Sequence, residues 1–473
     1  MKKLIATILS LCLLAGFALL GVACNKTDTP VYEEEYKVEG GTKAIVILPG
    51  LLAGGLYDQE TGEALWDPLR GDDVDILEFM GVYDDSHENV TIDTVCANSS
   101  KMLQVLADLF DDNDASLMRR IMCNEEGDPA NPNVVGVPTT YQEHLRYGAL
   151  NSYKWWAEGL KAEFGSEYEV VVYNYNWLTD TRYAARDFAE FVRQNNYTDM
   201  MLIGHSMGGI VANEYLAMGA ENRGRVDKFI AVAVPFYGSY MASSTLENPY
   251  VFMDLIDSVF DGTFPMPEDV QSLMSTFNLS KFHSKIADLY DEMIIPFLFN
   301  MKSVYQLLPS AELLDLQASA AQEGVLEGGA KVAGKDLWSW YQSRPLAREN
   351  YLGTKAEAAS SALRKIFADW QEYRDGMYVA KPQGRVFACD LVDTYYVVGN
   401  NVSTEVSMSV NGEVRKSGAS YAGDGTVPLL SATRGLSVED SHVFAVDGET
   451  HIPMGTYWAG GQRAAVLSII KGE

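Results

Sequence analysis

The chain has 473 residues, 47% hydrophobic and 21% charged, with 65 Asp and Glu against 36 Lys and Arg for a formal net charge of −29. That length supports one large elaborated domain or two, and a surface this acidic repels phosphate backbones, so no nucleic-acid partner is expected. Five cysteines and six histidines without CxxC, HExxH or a histidine cluster offer no metal site of recognisable spacing.

Residues 1–24 open with MKK and continue as an uncharged apolar run ending LLGVAC, the pattern of a secretory signal. The ending resembles a bacterial lipoprotein box, which predicts lipidation of Cys24 and an extracytoplasmic body anchored to the outer face of a membrane. Residues 25–42 are polar, acidic and glycine-ended, as a tether would be. Of the cysteines beyond the signal, Cys96 and Cys123 are the pair to test for a bridge; the acidic run at 111–114 reads as a solvated turn.

The body, residues 43–473, alternates apolar runs of strand length with amphipathic helical patterns. Strands are expected at 43–50, 168–176, 199–204, 227–235, 384–392 and 441–448, with helices at 152–165 and 181–195. Near-continuous apolar strands separated by helices imply an α/β fold with a mostly parallel sheet covered on both faces. Residues 51–150 and 238–380 interrupt the alternation without obvious sheet strands and read as insertions forming a cap. The apolar run at 294–299 fits either packed core or an acyl-facing surface.

The strand at 199–204 runs directly into GHSMG (204–208), followed by a helical IVANEYLAMGA. This matches the G-x-S-x-G nucleophile elbow, where a sharp strand-to-helix turn leaves no room for side chains beside the serine. The near-miss GASYA (418–422) lacks that strand and helix context. Ser206 is therefore the candidate nucleophile, and it needs a histidine base within reach. In chain order Ser–acid–His, His283, His442 and His451 qualify. His442 opens a strand pattern, whereas His451 stands in the loop just beyond it, where sheet ends gather; His451 is the candidate base. The orienting acid is Asp424 in GDGTVPLLS, with Asp390 and Asp393 as rivals. The oxyanion amides are expected from Met207, after the nucleophile, and from Leu51, in the LPGLLAGG loop after the first strand.

Several separated motifs occur in order: VILPGLLAG, GEALWDP, YNYNWL, GHSMGG, AVAVPFYGS, SVYQLLPS, GDGTVPLLS and THIPM. Together they resemble the lecithin:cholesterol acyltransferase-like family of lipid acyl hydrolases and transferases over roughly residues 43–455. The resemblance implies an α/β-hydrolase fold with an inserted cap, and places Ser206, Asp424 and His451 on the family's nucleophile, acid and base. It places Leu51 and Met207 on the oxyanion amides and Trp66 near a cap element bordering the acyl groove. The chain departs at Asn176, Trp177 and Leu178, where the family shows an Asp and an Arg. The expected function is a surface-anchored serine acyl hydrolase or O-acyltransferase on phospholipid or acylglycerol esters, without cofactor. A carboxylesterase for small or polymer-bound esters and a non-catalytic binding lipoprotein are the alternatives. The oligomeric state is not legible.

Overall fold

The computed structural model describes residues 34–66, 117–124, 126–247, 295–327, 329–343, 369–409, 414–416 and 423–473. The signal with Cys24, most of the tether, Cys96, the acidic run at 111–114 and His283 lie outside the described residues, as do large parts of both insertions.

Six strands form the main sheet: β1 (Thr42–Leu48), β2 (Glu169–Val172), β3 (Tyr197–His205), β4 (Val226–Val232), β5 (Asp393–Asn400) and β6 (Val443–Asp447). Their spatial order is β6-β5-β4-β3-β1-β2, and every neighbouring pair is parallel. Their side chains sort strictly by alternation. Ala44, Val46 and Leu48 enter one core with Met200, Leu202, Phe229 and Ala231; Ile45 and Ile47 enter the other with Met201, Ile203, Ile230 and Val232. Both faces are dry, which is why these strands read as continuous apolar runs.

Helices cover each face. On one lie α1 (Lys154–Phe164), burying Trp156 and Leu160, and the last helix, α5 (Gly460–Lys471), burying Val466 and Ile469. The other face is covered by α2 (Thr181–Gln194) and α3 (Met207–Ala217). Asp180 caps α2 by accepting from the Arg182 amide, and Ala184, Ala185, Phe188, Ala189 and Val192 form its inward stripe. Helix α3 has no polar stripe: every residue from 207 to 216 is buried, because it runs between the sheet and its neighbours. This is the α/β-hydrolase fold.

One expected strand was misplaced. Residues 384–392 supply no strand to the main sheet: Gly384–Phe387 pairs antiparallel with Tyr378–Lys381, and Ala388–Leu391 is a 3-10 turn. The run is apolar because Phe387, Ala388 and Cys389 pack into the core, where the Cys389 amide donates to Asn213 Oδ1 on α3 at 2.9 Å. The sheet strand is the next segment, β5. The described insertion residues add small sheets apart from the main one, of three and four strands, the latter shared with residues 405–409 and 414–416. Phe297 and Phe299 of the apolar run at 294–299 are buried in the core.

The segment read as a tether is held from Glu35 onward. Arg223 donates to both carboxylate oxygens of Glu35 (2.8 and 3.1 Å), Lys381 donates to it at 2.6 Å, and the Val38 amide donates to the Gly224 carbonyl. Gly224 leads into β4, so this contact lies at the edge where the strands begin.

Cores packed this tightly make a sharp prediction. Phe188→Ala on α2 is expected to cost about 3–5 kcal/mol in chemical denaturation, whereas Glu190→Ala on the exposed face of the same helix shifts stability by less than about 0.5 kcal/mol.

Candidate active site

All strands end at one edge, and there the loops after β1, β3, β5 and β6 converge. Ser206 sits between the last residue of β3 and the first of α3, with φ 52° and ψ −128°. A non-glycine residue held there stores about 1–3 kcal/mol of strain. Bonds on both sides hold it: its amide donates to the Val232 carbonyl at 2.9 Å, and its carbonyl accepts from Gly209 at 3.0 Å.

The glycines have separate reasons. A Cβ on Gly208 would lie 2.1 Å from the Leu48 carbonyl oxygen at the end of β1, and one on Gly204 would lie 2.5 Å from Gly209 Cα. The first contact seats α3 on β1; the second seats it on its own strand.

His451 opens the short helix α4 (His451–Thr456), four residues after β6. Its Nε2 lies 2.9 Å from Ser206 Oγ, and its Nδ1 lies 2.7 Å from Asp424 Oδ2. Asp424, only 2% exposed, follows β5; its other oxygen accepts from the amides of Thr426 (2.9 Å) and Val427 (2.7 Å). Gly399 in β5 permits this approach, since a Cβ there would stand 2.5 Å from Asp424 Cβ. The His451 amide also donates to the Asp424 carbonyl at 2.9 Å. A hydroxyl bonded to an imidazole, itself bonded to a buried carboxylate, is the arrangement that lets serine lose its proton as it attacks.

The rival residues stand elsewhere. Asp390 is paired with Arg434 (Nη2 to Oδ2, 2.9 Å). Asp393 is the first residue of β5, and His442 immediately precedes β6; they lie 3.6 Å apart at the edge where the strands begin, away from Ser206.

Leu51 lies in the loop after β1, which rests on the serine: a Cβ on Gly50 would be 3.1 Å from Ser206 Cβ. Most backbone groups of this loop have a fixed partner. The Pro49 carbonyl accepts from Tyr175, Leu52 from the Trp66 indole (2.6 Å), Ala53 from the Ala149 amide and Gly54 from the Trp177 indole (2.8 Å). The amides of Gly50 and Gly55 donate to Tyr153 Oη and Asn174 Oδ1. The amides of Leu51 and Met207 donate to no protein acceptor among the described residues. Trp66 thus has its indole N–H committed to the loop, and its ring meets Trp177 edge-on at 5.5 Å.

The sequence reading missed these bracing residues. Asn174, Tyr175 and Trp177 belong to YNYNWL, whose departure from the expected Asp and Arg was the available signal. Trp177 and Tyr175 are fully buried against the loop they hold. His205, the residue before the serine, is buried with Nδ1 2.7 Å from Tyr153 Oη and Nε2 3.1 Å from the His451 carbonyl. Burial, with a smaller contribution from His451, pushes its pKa down to about 3. Among the described residues no group of His, Cys, Asp or Glu could hold a metal ion, and no helix is long and apolar enough to cross a membrane.

Residues 180–256 match the family model described as the PGAP1-like alpha/beta domain. That segment holds α2, β3, the Ser206 turn, α3 and β4. Among solved structures, the crystal structure of the Tle4–Tli4 complex aligns over 92% of this chain and 99% of the matched one, with 13% identity and a TM-score of 0.45. By sequence, no curated protein matches.

A pH dependence follows from His205. Its folded pKa lies below the ordinary value of about 6.5, so as pH falls the unfolded chain takes up this proton first. The residue's contribution to stability is intact above about pH 6.5 and is lost by up to about 1.4 kcal/mol per pH unit as pH falls toward 3. His205→Gln is expected to flatten the slope of unfolding free energy between pH 6 and pH 4 by about that amount, as read by denaturant titration.

Proposed function

We propose that this protein is a serine acyl hydrolase acting on lipid esters through Ser206, His451 and Asp424. The observation that carries the reading is the continuous hydrogen-bonded chain from Ser206 Oγ through His451 to buried Asp424, at the end of a strained strand-to-helix turn.

Ser206 Oγ attacks the ester carbonyl while His451 Nε2 takes its proton; Asp424 keeps the other ring proton on Nδ1 and stabilises the imidazolium. The amides of Met207 and Leu51 receive the developing oxyanion. His451 then protonates the leaving alcohol, an ester forms on Ser206, and water or a second alcohol resolves it. A loop already fixed by its neighbours reorganises little as charge develops, which is where such donors act most strongly.

Two observations support a lipid substrate. The ordered motifs resemble lipid acyl hydrolases and transferases. Leu52, Met241 and Ile452, in or just beyond loops that follow β1, β4 and β6, are large apolar residues left exposed. Acylation at Cys24 would anchor the protein outside the cytoplasm.

The test is mass spectrometry of mixed phospholipid and acylglycerol vesicles incubated with the purified protein. Acyl groups are expected to leave these lipids with the wild type, with a loss of at least about 10⁴-fold in Ser206→Ala and about 10⁴-fold in Asp424→Asn. Free fatty acid marks hydrolysis, and a new ester marks transfer. Unchanged vesicles alongside cleavage of a small soluble ester would overturn the lipid substrate and leave a carboxylesterase. Labelled palmitate incorporation, lost in Cys24→Ala, checks the anchor.

A further inference from the structure

A second hydrogen-bonded chain runs behind the first, and its direction is set by its two ends. Gly50 contributes an amide, which can only donate, to Tyr153 Oη at 2.7 Å. His451 contributes a carbonyl, which can only accept, 3.1 Å from His205 Nε2. His205 must therefore carry its proton on Nε2. Burial keeps the ring neutral, so Nδ1 is bare and accepts from the Tyr153 hydroxyl at 2.7 Å. Each group takes the donor or acceptor role its chemistry allows: Gly50 N–H to Tyr153, Tyr153 O–H to His205, His205 Nε2–H to His451.

We propose that Tyr153 and His205 are positioning residues that lock the loop carrying Leu51 to the backbone of His451, so that oxyanion donor and base are held in one frame with Ser206. The proposal rests on the serine-hydrolase reading above. The chain touches three segments at once. Gly50 precedes Leu51, His205 precedes Ser206, and the third contact is the carbonyl of His451 itself. Helix α4 presses on the same ring: a Cβ on Gly455 would lie 2.1 Å from His205 Cγ, so no side chain separates the helix from the imidazole. Tyr153 immediately precedes α1 and is wholly buried, so it brings that helix into the same frame. A displacement of about 1 Å between donor and base is enough to cost on the order of 10²-fold in rate.

The experiment uses the full chain in four variants: Tyr153→Phe, His205→Ala, His205→Gln and, as a control, Tyr305→Phe. The control removes a buried tyrosine hydroxyl that donates to the Phe299 carbonyl on a different element. Three quantities are read: the rate constant for fluorophosphonate labelling of Ser206, kcat and KM for a soluble short-chain ester, and deuterium uptake in peptides covering 49–55 and 450–455. Tyr153→Phe is expected to lower kcat and labelling by about 10- to 100-fold with KM within about threefold. Uptake should rise in both peptides. His205→Gln, whose side-chain amide can still donate to the His451 carbonyl, should retain more activity than His205→Ala. Tyr305→Phe should leave kcat unchanged. Equal kcat losses in Tyr153→Phe and Tyr305→Phe, or no loss in Tyr153→Phe, overturn the proposal. So does a rise in uptake confined to one peptide. If the wild type is not labelled at Ser206, the proposed function fails instead, and joint or separate uptake in the two peptides still decides whether the loops are coupled.

Discussion

The site depends on two stretches of backbone lying closer than any side chain permits. Gly208, two residues past the serine, rests on the carbonyls of Leu48 and Pro49 at the end of β1, where a Cβ would come within 2.1 and 2.5 Å of their oxygens. That contact starts α3 against β1 and turns the loop after β1 onto Ser206. A bulkier residue would push α3 away, separating the serine from Leu51. The strain at Ser206, about 1–3 kcal/mol, is offset because α3 is buried on every side and the Ser206 amide continues the ladder onto β4. A helix with so much packing is not free to relax its first residue.

The loop after β1 is irregular backbone running into the core at both ends, where an unpaired polar group is costly. Here the partners are long side chains from elsewhere: indoles from Trp66 and Trp177, hydroxyls from Tyr153 and Tyr175, and the amide of Asn174. Aromatic residues suit this task. They bury large apolar area in the core and deliver one polar atom at a fixed reach. The result is a loop that is rigid without belonging to a helix or a sheet. The amides of Leu51 and Met207 stand outside this network.

The carboxylate–imidazole pair is organised by the sheet. β5 and β6 are adjacent and parallel, so the segments that follow them emerge side by side, and Asp424 and His451 meet both by side chain and by backbone. Parallel direction also explains why Asp393 and His442 pair with each other at the far edge: each stands at the beginning of its strand, and a parallel sheet separates beginnings from ends by the full strand length.

Much of this was legible in one dimension. Alternating apolar strands and amphipathic helices identified a doubly covered parallel sheet, because burial on both faces leaves its mark on every residue of a strand. GHSMG announced the turn, because steric exclusion at so tight a reversal admits few residue types. The order of serine, acid and histidine narrowed the partners to a handful. What stayed hidden was whatever depends on contact between distant segments. The apolar run at 384–392 could not be told from β5, since core packing selects the same residues in a hairpin and 3-10 turn as in a strand. The sequence ranked Asp424 ahead of Asp390 and Asp393, and strand adjacency is what brings Asp424 beside His451. The bracing of the β1 loop by Tyr153, Trp177 and Tyr175 joins groups 103, 123 and 126 residues apart, and His205 reaches His451 across 246. Local sequence records periodicity and local sterics; a hydrogen bond between segments that far apart leaves no periodic trace, and only the closed fold creates it.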